Sequence, residues 1–333
     1  MYPGQAEIKV IYNDMDITHI VASVEWSGDV MQACRSLRCL IKNISLHRKR
    51  LLTVENGKGI RFFNGEQELF RGIVFTNEIN IDGLHSIVAY DENVYLTKSM
   101  DTRKFINMKA SHIVQRICSD YGISTGFIAD TGYVIPKLIL RDKTLYDMII
   151  TALTETKKHT GRRFILFNKN GKLILQERKS QITKFIIEDG VNIISARYSQ
   201  SIEDLKTQVK VIGGDSEKKP ITATVKNDEL IKKFGIMQHL ENADSKLNKS
   251  QIEQLARQLL KEHGTIKDEA TLDTVGIDEV VAGTSVYVKE KVTGIVGGYY
   301  VISDSHRYEN GVHTMSLVLS ATDELPSLEY EGG

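Results

Sequence analysis

Residues 83–87, Gly83-Leu84-His85-Ser86-Ile87, and residues 311–315, Gly311-Val312-His313-Thr314-Met315, follow one order of residue types: glycine, apolar, histidine, hydroxyl, apolar. Two further glycines precede each copy and open short apolar runs, Gly59 and Gly72 in the first and Gly283 and Gly298 in the second. The glycines are 13 and 11 residues apart in the first copy and 15 and 13 apart in the second. Because a lengthening by two residues keeps the same strand face buried, both copies predict one three-stranded meander. A repeat of this kind predicts two related β domains.

The sequence around the first copy consists of short strand-like runs between turn residues. Apolar and polar residues alternate over residues 6–12 and 21–26, and Asn56-Gly57, Asn64-Gly65 and Asp82-Gly83 separate later runs. Asn-Gly and Asp-Gly favour tight hairpins because both central residues must accept positive φ. Turns spaced by about 10–13 residues predict a small antiparallel barrel or sandwich.

Helical periodicity appears in the middle of the chain. Ile113, Val114 and Ile117 fall on one face of a helix predicted over residues 110–121, with its N-cap region at Asn107 and Gly122 just past its end. A second helix is predicted over residues 142–160, with Gly161 as its stop. Apolar runs at residues 163–167 and 172–176 flank a turn at residues 168–171 and predict a hairpin, which completes a compact α/β module.

The predicted fold class is mainly β with an α/β insertion: two related antiparallel β-barrel domains plus a small two-helix and hairpin module. The first barrel domain is predicted over residues 1–98, the α/β insertion module over 104–182, and the second barrel domain over 183–325 with a helix at 249–263. An acidic tail follows at residues 326–333, and we expect it to dock on a neighbouring chain or another protein because it is too polar to fold alone.

Composition excludes several classes of protein. The 333 residues are 41% hydrophobic and 26% charged, which is typical of soluble globular proteins of about two domains. Lys plus Arg and Asp plus Glu both number 43, so the basic excess expected of a duplex-binding surface is missing. No run approaches the roughly 18 apolar residues of a membrane helix, and the N-terminal residues lack the pattern of a secretory signal. The three cysteines, Cys34, Cys39 and Cys118, match no zinc spacing and predict reduced thiols in a cytosol-like environment.

Asp304, His306 and His313 are the densest cluster of candidate ligands or acid–base groups. If residues 297–305 and 313–320 form neighbouring strands, Asp304 and His306 share a face and His313 comes close. A metal site needs a further ligand, and the sequence nominates none, so we expect hydrogen-bonded surface histidines and no metal. His85, at the matching position of the first copy, lacks an Asp-x-His partner, which favours a structural role.

No other feature predicts catalysis or a cofactor. A G-x-S-x-G elbow is missing from the sequence, and Cys118 lies on the apolar face of a predicted helix, where a core thiol is expected. The basic run at residues 157–163 spans a helix C-terminus, where cations complement the helix dipole. The sequence therefore predicts a protein that is not an enzyme, with no catalytic, cofactor-binding or metal-binding residues.

Several segments resemble the XkdQ/YqbQ family of baseplate hub proteins from contractile phage tails and tail-like bacteriocin particles. These segments cover the module and the last strands: Ile117-Cys118-Ser119-Asp120-Tyr121-Gly122-Ile123, Asp130-Thr131-Gly132, Ile135-Pro136-Lys137, Lys143-Thr144-Leu145-Tyr146-Asp147-Met148-Ile149, Gly294-Ile295-Val296-Gly297-Gly298-Tyr299-Tyr300-Val301 and Gly311-Val312-His313-Thr314-Met315. The resemblance spans nearly the whole chain, and its motifs are structural. It implies tail-tube-like β domains and kinship with the trimeric hubs of phages T4 and Mu.

The resemblance also implies a function and a set of partners. We expect a homotrimeric structural hub, made in the host cytoplasm and placed in the tail baseplate, that adapts a six-fold tail tube to a three-fold spike. The implied partners are other copies of the chain, the tube protein, the spike protein and other baseplate proteins, with the tape measure protein as a further candidate and no nucleic acid. The alternative is a cell-wall-acting tail component, peptidoglycan-binding or lytic, with residues 104–182 as its binding part.

Overall fold

The computed structural model describes residues 4–178, 185–213, 220–243, 247–322 and 325–330. The chain forms two compact units, one of residues 1–197 with 270–333 and the other of residues 198–269. The predicted boundary between the module and the second β domain, at residues 182 and 183, lies outside the described residues, so the domain limits stay a prediction. None of the helices in the described ranges is long and apolar enough to cross a membrane.

The first β domain contains seven strands, a short 3-10 helix at Thr18–Ile20 and the helix α1. The strands are β1 Ile8–Tyr12, β2 Met15–Asp16, β3 Val21–Asp29, β4 Ser36–Lys42, β5 Gly59–Asn64, β6 Gln67–Ile79 and β7 Leu84–Tyr90, and α1 is Val94–Lys98. Neighbouring strands follow the order β3-β4-β7-β6-β5-β1-β2, and every pair is antiparallel. Alternate residues on these strands, such as Leu37, Cys39 and Ile41 of β4, are fully buried and form the core of this domain.

The α/β module follows directly. Its elements are β8 Met100–Lys109, α2 Ala110–Asp120, β9 Thr125–Ile128, β10 Val134–Thr144, α3 Leu145–Thr160, β11 Phe164–Lys169 and β12 Lys172–Glu177. Strands β8 and β10 pair antiparallel, β11 and β12 form the predicted hairpin, and β9 lies parallel to β12. Apolar faces of both helices pack together with these strands in one core. The two helices and the hairpin are therefore confirmed, except that the second helix begins at Leu145 rather than at residue 142, which belongs to β10.

The helix ends show which local signals were informative. Helix α3 begins at the N-cap Thr144, whose hydroxyl accepts a hydrogen bond from the Asp147 backbone N–H at 3.0 Å, and ends at Gly161 with φ of 71°. The prediction of Asn107 as the N-cap region of α2 is wrong. Strand β8 continues to Lys109, which is the N-cap residue without a side-chain hydrogen bond, and Asn107 lies within the strand with φ of 49°.

The remaining elements complete both units. They are β13 Phe185–Glu188, β14 Ile193–Ser201, β15 Gln208–Gly213, β16 Ile221–Lys226, α4 Asp228–Phe234, β17 Gln238–Asn242, α5 Lys249–His263, β18 Lys267–Val275, β19 Ser285–Lys289, β20 Val296–Glu309 and β21 Val312–Ser320. In the larger unit, the order of neighbouring strands is β14-β18-β21-β20-β19-β13. This second β domain has its own buried core, which includes Leu272, Val286 and Leu317.

The two β domains share one strand order. Position by position, β3-β4-β7-β6-β5-β1 matches β14-β18-β21-β20-β19-β13. The predicted meanders are β5-β6-β7 and β19-β20-β21, antiparallel in both cases. One difference is that β1 lies antiparallel to β5 whereas β13 lies parallel to β19. The predicted mainly-β fold class with an α/β insertion is confirmed.

The smaller unit is a three-stranded sheet covered by a helix. Strand β15 lies between β16, which is antiparallel to it, and β17, which is parallel. Ile252 and Ala256 of α5 pack against Val209 and Val211 of β15. The side chain of the N-cap Asn248 and that of Gln251 form a capping box, so α5 has the bounds that the sequence predicts.

The described part of the acidic tail, residues 325–330, docks on the module of its own chain. The Thr154 hydroxyl accepts a hydrogen bond from the Leu328 N–H at 3.0 Å, and the Tyr330 hydroxyl accepts one from the Ile139 N–H at 3.1 Å. Glu329 forms an ion pair with Lys158. The expectation that the tail docks on a neighbour or another protein is therefore wrong for these residues. The reason is that the Tyr330 ring is apolar enough to pack against the module core.

We expect Tyr330→Ala to destabilise the module by about 1–2 kcal/mol, because it removes a packed ring and the acceptor for the Ile139 N–H. Hydrogen exchange of the β10 and α3 amides is the measurement. Glu329→Gln is the matched control, since it removes only an exposed ion pair worth about 0–1 kcal/mol. Equal exchange rates in the two variants would contradict the docking role of Tyr330.

Candidate functional site: the junction of the two β domains

The two β domains join edge to edge through β20 and β3. Residues Ser303–Glu309 pair antiparallel with Ser23–Asp29, while the other edge of the same β20 segment pairs with β21. The N-terminal half of β20 pairs with β19 instead. Strand β20 therefore merges both domains into one sheet, and we take this junction as the candidate functional site.

A buried ion pair crosses the junction. Arg35, which precedes β4 of the first domain, donates from Nη1 to Asp304 Oδ1 at 2.8 Å and from Nη2 to Oδ2. The Ala282 N–H donates to Oδ1 at 2.6 Å. Burial alone would raise the pKa of Asp304, but the attraction and hydrogen bonds of the Arg35 guanidinium outweigh it and hold this pKa at about 2. Asp304 is thus a carboxylate at neutral pH and is bound by its partner in a bidentate geometry.

Trp26 packs against both Arg35 and His306. The guanidinium carbon of Arg35 lies 4.1 Å from the centre of the Trp26 rings, which places the cation over the aromatic face. The His306 ring lies 5.1 Å from Trp26, at an angle of 39°. Because Trp26 pairs with His306 across β3 and β20, the aromatic contact follows from the strand register. The Trp26 ring therefore covers one face of the Arg35 guanidinium.

His306 and His313 form a buried pair. His306 Nδ1 lies 2.9 Å from His313 Nε2, and His306 Nε2 lies 3.0 Å from the Val280 carbonyl oxygen. Because a carbonyl only accepts, a neutral His306 carries its proton on Nε2, so its Nδ1 accepts from His313. Burial, together with the proximity of His306, lowers the pKa of His313 to about 4. The His313 ring also stacks on Tyr308, with ring centres 4.0 Å apart.

The predicted cluster is thus real but differs from the prediction in its environment. Asp304 and His306 share a face and His313 comes close, as expected, yet all three are buried rather than at the surface. The reason is that β3 covers the outer edge of β20, and the segment around Val280 covers its face. In the described part of the chain, no group of three or more His, Cys, Asp or Glu side chains is arranged to hold a metal ion.

His85 occupies the matching place in the first domain. It pairs with Ile79 as His313 pairs with Tyr308, and it is also buried. Its ring nitrogens lie 3.0 Å from Asn43 Nδ2 and 3.1 Å from Asn77 Oδ1. The structural role that the sequence favours for His85 agrees with these hydrogen bonds.

A cavity of about 360 Å³ lies beside the junction, within the larger unit. The first β domain, the β11–β12 hairpin and residues 281–284 contribute its walls. Burial raises the pKa of Asp91 in this wall to about 7, against the opposing backbone hydrogen bonds from Arg35 and Asn93. Burial also raises the pKa of the Cys34 thiol to about 12, so this cysteine stays protonated and is a poor nucleophile.

Sequence reasoning found one side of the junction and missed the other. Arg35, Trp26 and Asp91 all belong to the first domain, and none of them was a candidate. Arg35 and Asp304 are 269 residues apart in sequence, so no local motif connects them. A usable signal was the Asp-x-His pattern on a strand, because a carboxylate predicted on a sheet face requires a cation or donors when buried.

The fold is that of phage tail proteins. The 43 kDa tail protein of prophage MuSo2 from Shewanella oneidensis has a solved structure that matches with a TM-score of 0.73 and 13% identity, over 95% of this chain and 96% of that one. Such low identity establishes the fold alone.

The chain belongs to the YQBQ-like family, whose model matches residues 24–320. Two relatives come from Bacillus subtilis (strain 168). The phage-like element PBSX protein XkdQ is 34% identical over 322 residues, and the protein YqbQ is 32% identical over 323 residues. Both alignments cover 96% of this chain and 98% of the relative. The family resemblance that the sequence predicts is confirmed.

We expect Arg35→Leu to destabilise the larger unit by about 3–5 kcal/mol at neutral pH, because it leaves the Asp304 carboxylate buried without its cation. Urea unfolding followed by Trp26 fluorescence is the measurement. Arg61→Leu is the control, since the Arg61 partner Asp14 is almost fully exposed and the pair contributes little. A loss no larger than that of the control would contradict the role of the ion pair.

The buried His313 makes the stability of the larger unit depend on pH. The folded-state pKa of His313 is lowered to about 4, below the usual 6.5, so the unfolded chain takes up this proton first. The contribution of His313 to stability is therefore complete above about pH 6.5 and is lost as the pH falls toward 4. Asp91 titrates in the same range with the opposite sign, because its folded-state pKa is raised.

The stability of the wild type is therefore compared with that of a His313 variant over the same pH range. We expect His313→Gln to be less stable than the wild type at pH 7.5 and to lose less stability than the wild type between pH 7 and pH 4.5. The glutamine amide can still donate toward His306, which separates titration from loss of the hydrogen bond. Parallel stability curves for the two proteins would show that His313 is not the titrating group.

Proposed function

We propose that this chain is the structural hub of a contractile phage tail or tail-like particle. Three copies form a ring that adapts a six-fold tail tube to a three-fold spike. The observation that carries the proposal is the repeated strand order of the two β domains. Three chains with two related domains each offer six similar surfaces to the tube, while their three modules meet the spike.

The described side chains suit an assembly role better than catalysis. The densest cluster of polar groups joins the two β domains, and its members make hydrogen bonds or ion pairs with one another. Such a network fixes the angle between two domains, and its Asp304, His306 and His313 side chains are buried. We accordingly propose a non-enzymatic protein whose function lies in its interfaces.

The relatives and the overall charge support the same role. XkdQ carries the name of a phage-like element protein, and the MuSo2 protein is a tail protein. The formal net charge of zero allows like chains to approach one another, whereas a large net charge would oppose a ring of identical subunits. The proposed partners are the tube protein, the spike protein, other baseplate proteins and further copies of the chain.

The copy number in intact tail particles tests this proposal. We expect three copies at the distal end of each tube, counted by native mass spectrometry or from particle images. The oligomeric state of the purified chain in dilute solution does not test the proposal, because closure of the ring depends on the concentration of the chain and on its partners. Six copies, or one, would refute the adaptor between six-fold and three-fold symmetry.

A further inference from the structure

Two strand edges of the repeat are open. The last residues of β6, Thr76–Ile79, pair with β7 on one side, while β5 pairs only with Gln67–Ile73. Strand β14 is the last strand of its sheet and has β18 as its neighbour. Within the described residues, no strand pairs with the second edge of either segment. Open edges of this kind are templates for pairing with another chain.

The open edge of β6 is the counterpart of the edge that β20 uses at the junction. Glu78 pairs with Ser86, the residue after His85, and Arg307 pairs with Thr314, the residue after His313. The two strands thus hold the same position beside β7 and β21. In β20 this edge is paired with β3, whereas in β6 it is free.

The open edge of β14 is likewise the counterpart of β3. The Ser195 hydroxyl donates to Asp273 of β18 at 2.6 Å, and Asp273 pairs with Ser316 of β21. In the first domain, the residue of β4 that matches Asp273 is Arg38, and Arg38 pairs with Glu25 of β3. The Ser195 hydroxyl of β14 therefore lies beside Asp273, much as Glu25 of β3 lies beside Arg38.

We propose, on the basis of the proposed ring of copies, that the β6 edge of one copy pairs antiparallel with the β14 edge of the next copy. The pairing repeats the β20–β3 junction, in which Arg307 lies opposite Glu25. By the same register, Glu78 of one copy lies opposite Ser195 of its neighbour. Each copy has one edge of each kind, so the contacts run head to tail and can close into a ring.

The side chains on the two edges are complementary. The pairing brings Ile79 to the part of β14 that contains Ile194, a residue that is 60% exposed in the single chain. It also places the exposed Glu78 diagonally across from the exposed Arg197, within reach of long side chains of opposite charge. A second copy therefore covers an exposed apolar residue and adds a charge pair at the rim.

Cysteine cross-linking of the full-length chain in assembled tail particles tests the register. Directly opposed residues of an antiparallel pair bring Cβ atoms within about 4.5–5.5 Å, near the range that a disulfide spans. We expect Glu78→Cys with Ser195→Cys to give disulfide-linked multimers of the chain on oxidation. Glu78→Cys with Ala196→Cys is the matched control, because a slip of one residue points the second cysteine to the other face.

The expected result is roughly tenfold more linked multimers in the first variant than in the control. Glu25→Cys with Arg307→Cys gives an internal positive control, since these residues pair within one chain. Particles with three copies but no linkage would overturn the edge pairing and leave the hub proposal standing. Linkage with another copy number would support the edge pairing and refute the hub proposal. A link from Glu78→Cys to a different tail protein would also overturn the pairing.

Discussion

The pairing of β20 with β3 is the constraint on which the rest of the larger unit depends. Strand β20 carries β19 and β3 on successive halves of one edge and β21 on the other, so one strand sets the register of both β domains. The Arg35–Asp304 ion pair fixes that register, because a slip of one residue would turn Asp304 away from its cation. A buried ion pair adds less to stability than to the choice of one arrangement, since desolvation offsets most of its attraction.

The two β domains show how one strand order is adapted to two environments. His85 and His313 hold matching positions, but the first bonds to two asparagines and the second to another histidine. The difference arises because the neighbouring strand is covered in one domain and open in the other. In the second domain β3 and Trp26 enclose His306, whereas in the first domain the matching Asn77 lies on a strand edge that has no partner strand among the described residues. Neutral asparagine amides suit a strand edge that is partly exposed to water, whereas the packing of aromatic rings requires an edge that is covered by another strand.

Sequence reasoning identified the repeat, the mainly-β class and the three longest helices, because these depend on local patterns that recur, but it missed the short helices α1 and α4. The glycines that revealed the repeat nevertheless differ in role. Gly83 and Gly311 both adopt positive φ at a hairpin, whereas a Cβ atom at Gly72 would clash with the Tyr90 carbonyl and one at Gly298 would meet open space. Burial of Asp304 and His306 could not be predicted, because it depends on β3 and Arg35, which lie far away in sequence. The docking of Tyr330 on the module depends on similar long-range packing.

The internal junction and the proposed contact between copies differ in one respect that bears on assembly. The position in β6 that matches Asp304 is Val74, since Val74 pairs with Ala89 as Asp304 pairs with Leu317. Arg35 lies in the short β3–β4 connection, whereas the matching β14–β18 connection carries most of the smaller unit. A contact between copies therefore lacks a counterpart of the buried ion pair, and its edges depend on backbone hydrogen bonds and a few side chains. Such a contact is weaker than the internal junction, so under the proposed function we expect the ring to close when the tube or spike holds the copies together.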